Sequence, residues 1–326
     1  MLNIAIIGSG LSGLTLAHNL KGHAKITVFE KSRGVGGRMA TRYASEYKFD
    51  HGAQFFIAKT KEFKDFISPM LEEGVVKRWD ARFAEIDENT KLRTVMWGEE
   101  KAHYVGAPNM NAIGKYLSKD LNIKLNSEVT KISKKDKWHL FDGQNELLGE
   151  FDWVLITAPS AQTYDLLPND TPMKNIIKHI KMQACFSLML GFNEDLDLGY
   201  DAALVKNYDI SWISVNSSKP DRDSGCSLLV HSTNSWAEKH IDEDKDSVIN
   251  FLCNETTKVV GFDVSKADFI GIQRWRYANI EKQQYNSFLD NKMQIGVCGD
   301  WCVQGRVESG YSSAMHLLYE LKKHIR

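Results

Sequence analysis

Three short stretches near the start decide the fold: Leu2-Asn-Ile-Ala-Ile-Ile7, then Gly8-Ser-Gly10-Leu-Ser-Gly13, then Lys25-Ile-Thr-Val-Phe-Glu30. The first is a β-branched apolar run that breaks at Gly8 and reads as a buried strand. Leu11, Leu14, Leu16, Ala17 and Leu20 follow at helical spacing, and Gly22 closes that segment. The third stretch reads as a second strand. A strand, a glycine turn, a helix and a strand within 30 residues imply the right-handed crossover of a parallel α/β sheet.

Gly8, Gly10 and Gly13 fit G-x-G-x-x-G, with Glu30 ending the next strand. In that context the pattern carries a mechanism. Gly8 permits the tight turn, Gly10 leaves room for a pyrophosphate beside the backbone, and Gly13 lets the helix sit close to the strand. The helix start, Leu11 and Ser12 included, offers free N–H groups and partial positive charge to phosphates. Glu30 can accept hydrogen bonds from a ribose. A second cluster follows at once, Lys31-Ser-Arg-Gly34-Val-Gly36-Gly37-Arg38-Met39. It allows another close backbone approach, and Arg38 presents a guanidinium fork suited to phosphate oxygens. Arg33 reads as solvated charge as readily as a phosphate ligand.

Outward from this unit, Lys61 to Glu73 has the apolar spacing of an amphipathic helix. Val75 to Val105 reads as antiparallel strands, Asn111 to Leu121 as a helix, and Ile123 to Leu148 as strands joined by Asp142-Gly143. Asp152 to Ala158 reads as a buried strand ended by Pro159. After about Ser160 the character changes: Ser187–Phe192, Ile210–Val215 and Ser227–His231 look like strands of a mixed or antiparallel sheet. Asp244 to Val260 is a helix candidate. Gln294–Gly299 returns to the buried-strand style, and Tyr311, Ala314, Met315, Leu318 and Leu321 mark a final amphipathic helix. The nucleotide sheet is therefore expected to be discontinuous, with residues 1–75, 106–160 and 291–326 forming a cofactor domain and residues 76–105 and 161–290 a substrate domain.

The 326 residues carry 41 Lys and Arg against 42 Asp and Glu, a formal charge of −1, which argues against a general nucleic-acid footprint. Five cysteines make no secreted disulfide framework. The one close pair, Cys298 and Cys302, lacks the further ligands a zinc site needs, so no metal is expected. The apolar start has no basic n-region and is interrupted by glycines. No stretch approaches the roughly 18 apolar residues of a spanning helix. A cytoplasmic protein without membrane contact is expected.

The glycine fingerprint, Glu30-Lys31 and Gly36-Gly37-Arg38-Met39 resemble the FAD-binding amine-oxidase-like flavoproteins. So do Asp50-His-Gly-Ala-Gln54-Phe55, where those proteins pass beside the flavin, and Gly299-Asp300-Trp301 followed by a helix, their second FAD motif. Lys31–Met39, Gly52–Gln54, Lys219-Pro-Asp-Arg222, Trp275-Arg-Tyr-Ala278 and Cys298-Gly-Asp-Trp-Cys302 together are similar to the bacterial renalases over the length of the chain. The departure is Glu308–Ser313, where that family suggests an Ala-Trp helix start. The resemblance implies a Rossmann-like α/β FAD/NAD(P)-binding domain with a second, largely antiparallel-sheet substrate domain, a p-hydroxybenzoate hydroxylase-like architecture. It implies non-covalent FAD, touched by Gly8, Gly10, Leu11, Ser12, Gly13, Glu30, Lys31, Gly37, Arg38, Gln54, Phe55, Val129, Gly299, Asp300 and Val307.

Renalases oxidise 2- or 6-dihydro isomers of NADH and NADPH. Hydride passes to flavin N5, and the electrons go on to oxygen, giving hydrogen peroxide, or to another acceptor. The implied partners are thus a small dinucleotide substrate and an electron acceptor. No general-base motif is needed for such a transfer. His231, Trp275 and Tyr277 are pocket candidates: a histidine ending one strand, and two aromatics alternating along another. Each is equally compatible with packing. Trp212 and Trp301 read as core, while Lys219, Arg274 and Arg276 fit either surface or substrate phosphates. Two other readings remain open. One is a flavin oxidase acting on an amine or a hydrophobic ring system. The other is a non-enzymatic protein on this fold, like the prenyl-GTPase chaperones, which the intact Gly8–Gly13, Glu30, Arg38 and Asp300 set disfavours.

Overall fold

The computed structural model describes residues 1–87, 90–222 and 225–325, with residues 90–92 described by their backbone. The chain divides into two compact units: Met1–Arg38, Ile113–Met182 and Asn279–Arg326 form one, and Met39–Ala112 and Gln183–Ala278 the other.

In the first unit the strand Asn3–Ile7 lies between Lys25–Phe29 and Trp153–Ile156, parallel to both. Ile123–Lys124 adds a parallel strand beyond Lys25–Phe29. Ile295–Val297 adds one beyond Trp153–Ile156, and Phe288–Asp290 closes that edge antiparallel. Trp153–Ile156 is buried on both faces, as a central parallel strand requires. The helices Leu11–Leu20 and Val307–Lys322 share one core with this sheet, built from Ile4, Ile6, Leu16, Leu20, Val28, Leu155, Leu317 and Leu321. A separate antiparallel sheet, Lys131–Lys134, Trp138–Phe141 and Leu147–Phe151, contains the expected turn at Asp142-Gly143.

The second unit holds a seven-stranded sheet in the order Phe269–Asn279, Gln183–Phe192, Cys226–Ser232, Ile210–Val215, Ala202–Lys206, Arg82–Asp87 and Thr90–Met96. It is mixed: Ala202–Lys206 runs parallel to Arg82–Asp87, whereas its pairing with Ile210–Val215 is antiparallel. One face carries Phe186, Leu188, Ile213, Val215, Leu228 and Val230, and the helices Asn234–His240 and Lys245–Val260 pack there. Asp244 caps the longer helix by accepting from the backbone N–H groups of Asp246 and Ser247. The opposite face carries Met189 and Leu229 at one end, covered by Tyr47 and Phe49 of the hairpin Arg42–Phe49. Gly191 makes that covering possible, since a Cβ there would lie 2.6 Å from the Tyr47 ring.

The observed division departs from the boundaries expected from sequence. Residues 39–75 belong with the second unit because Tyr47 and Phe49 pack on its sheet and Asp50 is bonded within it. Residues 161–182 belong with the first, where Ser160 Oγ donates to the Ile180 carbonyl and ties that helical segment to the end of a nucleotide strand. The expected helix Asn111–Leu121 is shorter, Ala112–Leu117. Among the described residues no helix is long and apolar enough to cross a membrane.

Candidate cofactor and substrate sites

In the first unit the geometry follows from three glycines. Gly8 has φ +107°, a conformation that favours glycine. A Cβ on Gly13 would fall 2.0 Å from the Gly8 carbonyl oxygen, so the helix approaches the strand only because that atom is missing. A Cβ on Gly10, in contrast, would meet nothing within 4 Å. The helix starting at Leu11 has no side-chain cap and no acidic residue in its first turn, which leaves its N-terminal donors for an anion. Thr157, which the sequence reading missed, fixes the turn by donating toward the Ile7 and Gly8 carbonyls at 3.0 and 3.1 Å. Its only sequence signal is its place directly after a buried strand.

Glu30 is buried, and its carboxylate accepts from Ser9 N–H, Ser9 Oγ and Ser32 N–H at 2.8–2.9 Å. The second glycine cluster folds back on the first: Gly36 bridges to Gly10, and a Cβ on Gly37 would sit 3.2 Å from the Gly10 Cα. Arg38 reaches Asp300 through two parallel bonds, Nη1 to Oδ2 at 2.9 Å and Nη2 to Oδ1 at 2.5 Å. The helix starting at Val307 also lacks a side-chain cap, and Ser12 Oγ donates to the Gly310 carbonyl. Two helix starts therefore meet beside the glycine turn. Lys31 is exposed and Val129 buried, and neither makes a contact that singles it out. Cys298 and Trp301 are buried, the indole donating to the Ala158 carbonyl. An open cradle over Gly10, free helix donors and a held acid fit a dinucleotide.

In the second unit the segment Asp50–Phe55 is bound on every side. Asp50 is fully buried and accepts from Arg222 Nη2 at 2.6 Å, Thr41 Oγ1 at 2.8 Å and the Met110 N–H at 2.9 Å; Lys219 Nζ lies 3.5 Å away. Burial alone would raise the Asp50 pKa, but Lys219, Arg222 and those two hydrogen bonds outweigh it, and the carboxyl is held below its usual value. Lys219 is buried too, which corrects the surface reading of it. Desolvation pulls its pKa down to about 8 despite Asp50. Its ammonium donates to Gln54 Oε1 at 3.1 Å and Asn216 Oδ1 at 2.9 Å. Gln54 also accepts from Ser214 Oγ and turns its amide back onto the Asp50 and Gly52 carbonyls.

The next residues face aromatic rings. His51 stacks on Trp275 at 5.1 Å, and Trp275 Nε1 and Ser187 Oγ both donate to the His51 carbonyl. Desolvation holds His51 and His231 down to a pKa of about 4, so both rings are neutral. Phe55 sits among Trp97, His103 and Trp212, at 5.0, 4.8 and 5.5 Å. Trp212 is thus not core: it stands half-buried on the sheet face away from the helices, as do Phe83 and Trp97. Tyr277 shares a face of its strand with Trp275 and is half-buried. Arg276 lies at the surface in an ion pair with Asp242, and Arg274 donates to the Glu243 carbonyl.

The glycine-folded nucleotide unit fits a dinucleotide cofactor, and the family match makes the protein an FAD-dependent oxidoreductase. Residues 81–318 match the model of the flavin containing amine oxidoreductases, and the chain belongs to that family. Residues 6–69 match the NAD(P)-binding Rossmann-like domain, and together with the flavin family match this makes FAD the cofactor. Farnesylcysteine lyase of Arabidopsis thaliana is 30% identical over 97 residues, covering 24% of this chain and 19% of that protein. Prenylcysteine oxidase 1-like of Mus musculus is 37% identical over 68 residues, covering 20% of this chain and 14% of that protein. The chain thus matches less than a fifth of the length of either relative. Among solved structures, a candidate protoporphyrinogen oxidase from Exiguobacterium sp. 255-15 has a TM-score of 0.78 at 13% identity, covering 99% of both chains. Cyclohexylamine oxidase from Brevibacterium oxydans IH-35A has a TM-score of 0.73 at 11% identity, also covering 99% of both. These two likenesses show the fold.

Proposed function

We propose that this flavoenzyme oxidises 2- or 6-dihydro isomers of NAD(P)H to NAD(P)+, as renalases do, with oxygen or another compound as final acceptor. The observation that carries the reading is convergence. Lys219-Pro-Asp-Arg222 and Trp275-Arg-Tyr-Ala278, two motifs behind the renalase likeness, both close on the segment Asp50–Gln54, more than 160 residues away in the chain. FAD, when bound non-covalently, supplies the hydride acceptor. In this reading the Gly8–Gly13 turn and its helix start hold the pyrophosphate, Glu30 takes a ribose hydroxyl, and Arg38 and Asp300 act as a pair at the cofactor. Gln54, locked by Lys219 and Ser214, fixes the Asp50–Phe55 loop within the second unit. The half-buried rings of Phe55, Phe83, Trp97 and Trp212 give a flat nicotinamide a surface to lie on.

Oxidation of an amine is the second reading, and the family match is the observation that favours it. The two separate in anaerobic stopped-flow absorbance of the holoenzyme. Fast flavin bleaching is expected with the 2- or 6-dihydro isomers, and little with ordinary 4-dihydro NADH or simple amines. An angstrom-scale displacement of the donor carbon lowers a rate by about two orders of magnitude. Bleaching by an amine with none by the dihydro isomers would overturn the proposal and leave the FAD assignment standing.

A further inference from the structure

Among the described residues, three buried polar atoms at the open face of the second unit's sheet have no hydrogen-bond partner: His51 Nδ1, His231 Nε2 and Trp212 Nε1. Buried polar groups are otherwise almost always paired, because an unpaired one loses its hydration without compensation. These three are neighbours. His231 and Trp212 are direct cross-strand partners, so both point away from the helix-covered face that holds Val230 and Ile213. Ser187 pairs with His231 on its other side and donates to the His51 carbonyl, which brings the His51 loop over the same place. His51 is itself only 7% exposed.

The chemistry of the set is specific. An indole nitrogen can only donate. Desolvation keeps His231 neutral, so one of its ring nitrogens carries a proton and the other can accept. With the proton on Nδ1, the unpartnered Nε2 is an acceptor. A donor and an acceptor side by side match a primary carboxamide, whose oxygen accepts and whose NH2 donates. Beside them, Phe55 and Phe83 lie 5.5 and 6.2 Å from the Trp212 ring and provide apolar surface for the ring that bears the amide.

We infer that Trp212 Nε1 and His231 Nε2 form a carboxamide-recognition site, with His51 at its border, that selects an aryl carboxamide over the corresponding carboxylate. This deepens the proposed function, on which it rests, by naming the group by which the nicotinamide ring is oriented. A carboxylate cannot donate to Nε2 and would bring a charge into a buried place.

Calorimetric titration of the holoenzyme with nicotinamide and with nicotinate tests it without turnover. Nicotinamide should bind about tenfold tighter or more. Trp212→Phe keeps an aromatic ring but removes the donor, and His231→Leu removes the acceptor; each should cut the preference to about twofold or less. His231→Gln, which restores an acceptor, should recover part of it. Equal binding of the two compounds to the unaltered protein, or no binding of either, overturns the inference whether or not any variant folds. The two layers fail separately. Flavin reduction by dihydro isomers without an amide preference removes the recognition site and keeps the activity. An amide preference without such reduction does the reverse.

Discussion

The two units use charge in opposite ways. In the first, the glycine turn works by leaving things out: an absent Cβ at Gly13, an uncapped helix start, open space over Gly10. Its acid, Glu30, is held by three donors from nearby residues, at most 21 positions away in sequence. In the second unit, Asp50, Lys219 and Arg222 are buried together, and their charges are directed at one another rather than displayed. One unit presents backbone geometry to a ligand; the other uses an ion cluster to hold a loop. A locally encoded site tolerates little change in backbone, and a cluster gathered from afar tolerates little change in charge.

The strongest test of that contrast pairs two glycines three residues apart. Gly13→Val should give no folded yellow protein, because the new side chain meets the Gly8 backbone. Gly10→Ala should fold with an unchanged melting temperature yet bind FAD more weakly, because its Cβ enters space that only a ligand occupies. Equal losses of stability in both variants would break the distinction. Next in size is Asp50→Asn. Leaving Lys219 and Arg222 without their buried counter-charge should cost about 3–5 kcal/mol in denaturant unfolding, whatever the state of the cofactor.

A smaller effect is expected at Arg38. Its guanidinium is fixed on Asp300, whereas Arg33 is exposed. Arg38→Ala should weaken FAD about 10- to 150-fold, in line with about 1.5–3 kcal/mol for a hydrogen bond to a charged group, and Arg33→Ala should change it little. Equal dissociation constants would reject the assignment. The smallest effect concerns pH. Lys219 is depressed to about 8 from 10.5, so between those values the unfolded chain binds a proton that the folded chain does not. Stability from this residue therefore rises with pH across that window. Compared with Lys219→Met, the unaltered protein should gain stability from pH 8 toward 10.5. Parallel pH profiles would remove Lys219 from the account. Asp50 acts oppositely on the acid side: its contribution is present above 3.8 and is lost as pH falls through its lower folded value.

The strand–turn–helix–strand unit was legible because period and composition specify it within 30 residues. Asn3–Ile7, Leu11–Leu20 and Lys25–Phe29 all lie where the apolar pattern puts them. Glu30 could be singled out for the same reason, and so could Asp300, three residues past the end of a short buried strand. Trp212 and Lys219 were not legible. Trp212 follows the apolar Ile210 in a strand with a register shift, so simple alternation does not reveal which face it takes. Lys219 sits in a Lys-Pro-Asp-Arg segment whose composition is that of a surface turn. Its burial depends on Asp50, Gln54 and Asn216, and two of those are more than 160 residues away.

What the sequence determined by itself is the cofactor unit: a glycine's missing side chain acts on the backbone within a few residues, and that effect needs no distant partner. What only the tertiary structure decided is the character of the substrate unit. There, the sheet's strand order brings Trp212 beside His231. A loop from residues 50–55 is bonded to Ser187, Lys219 and Trp275. Whether a lysine is buried, an imidazole neutral or an indole unpartnered is a property of those neighbours, and no spacing along the chain encodes it.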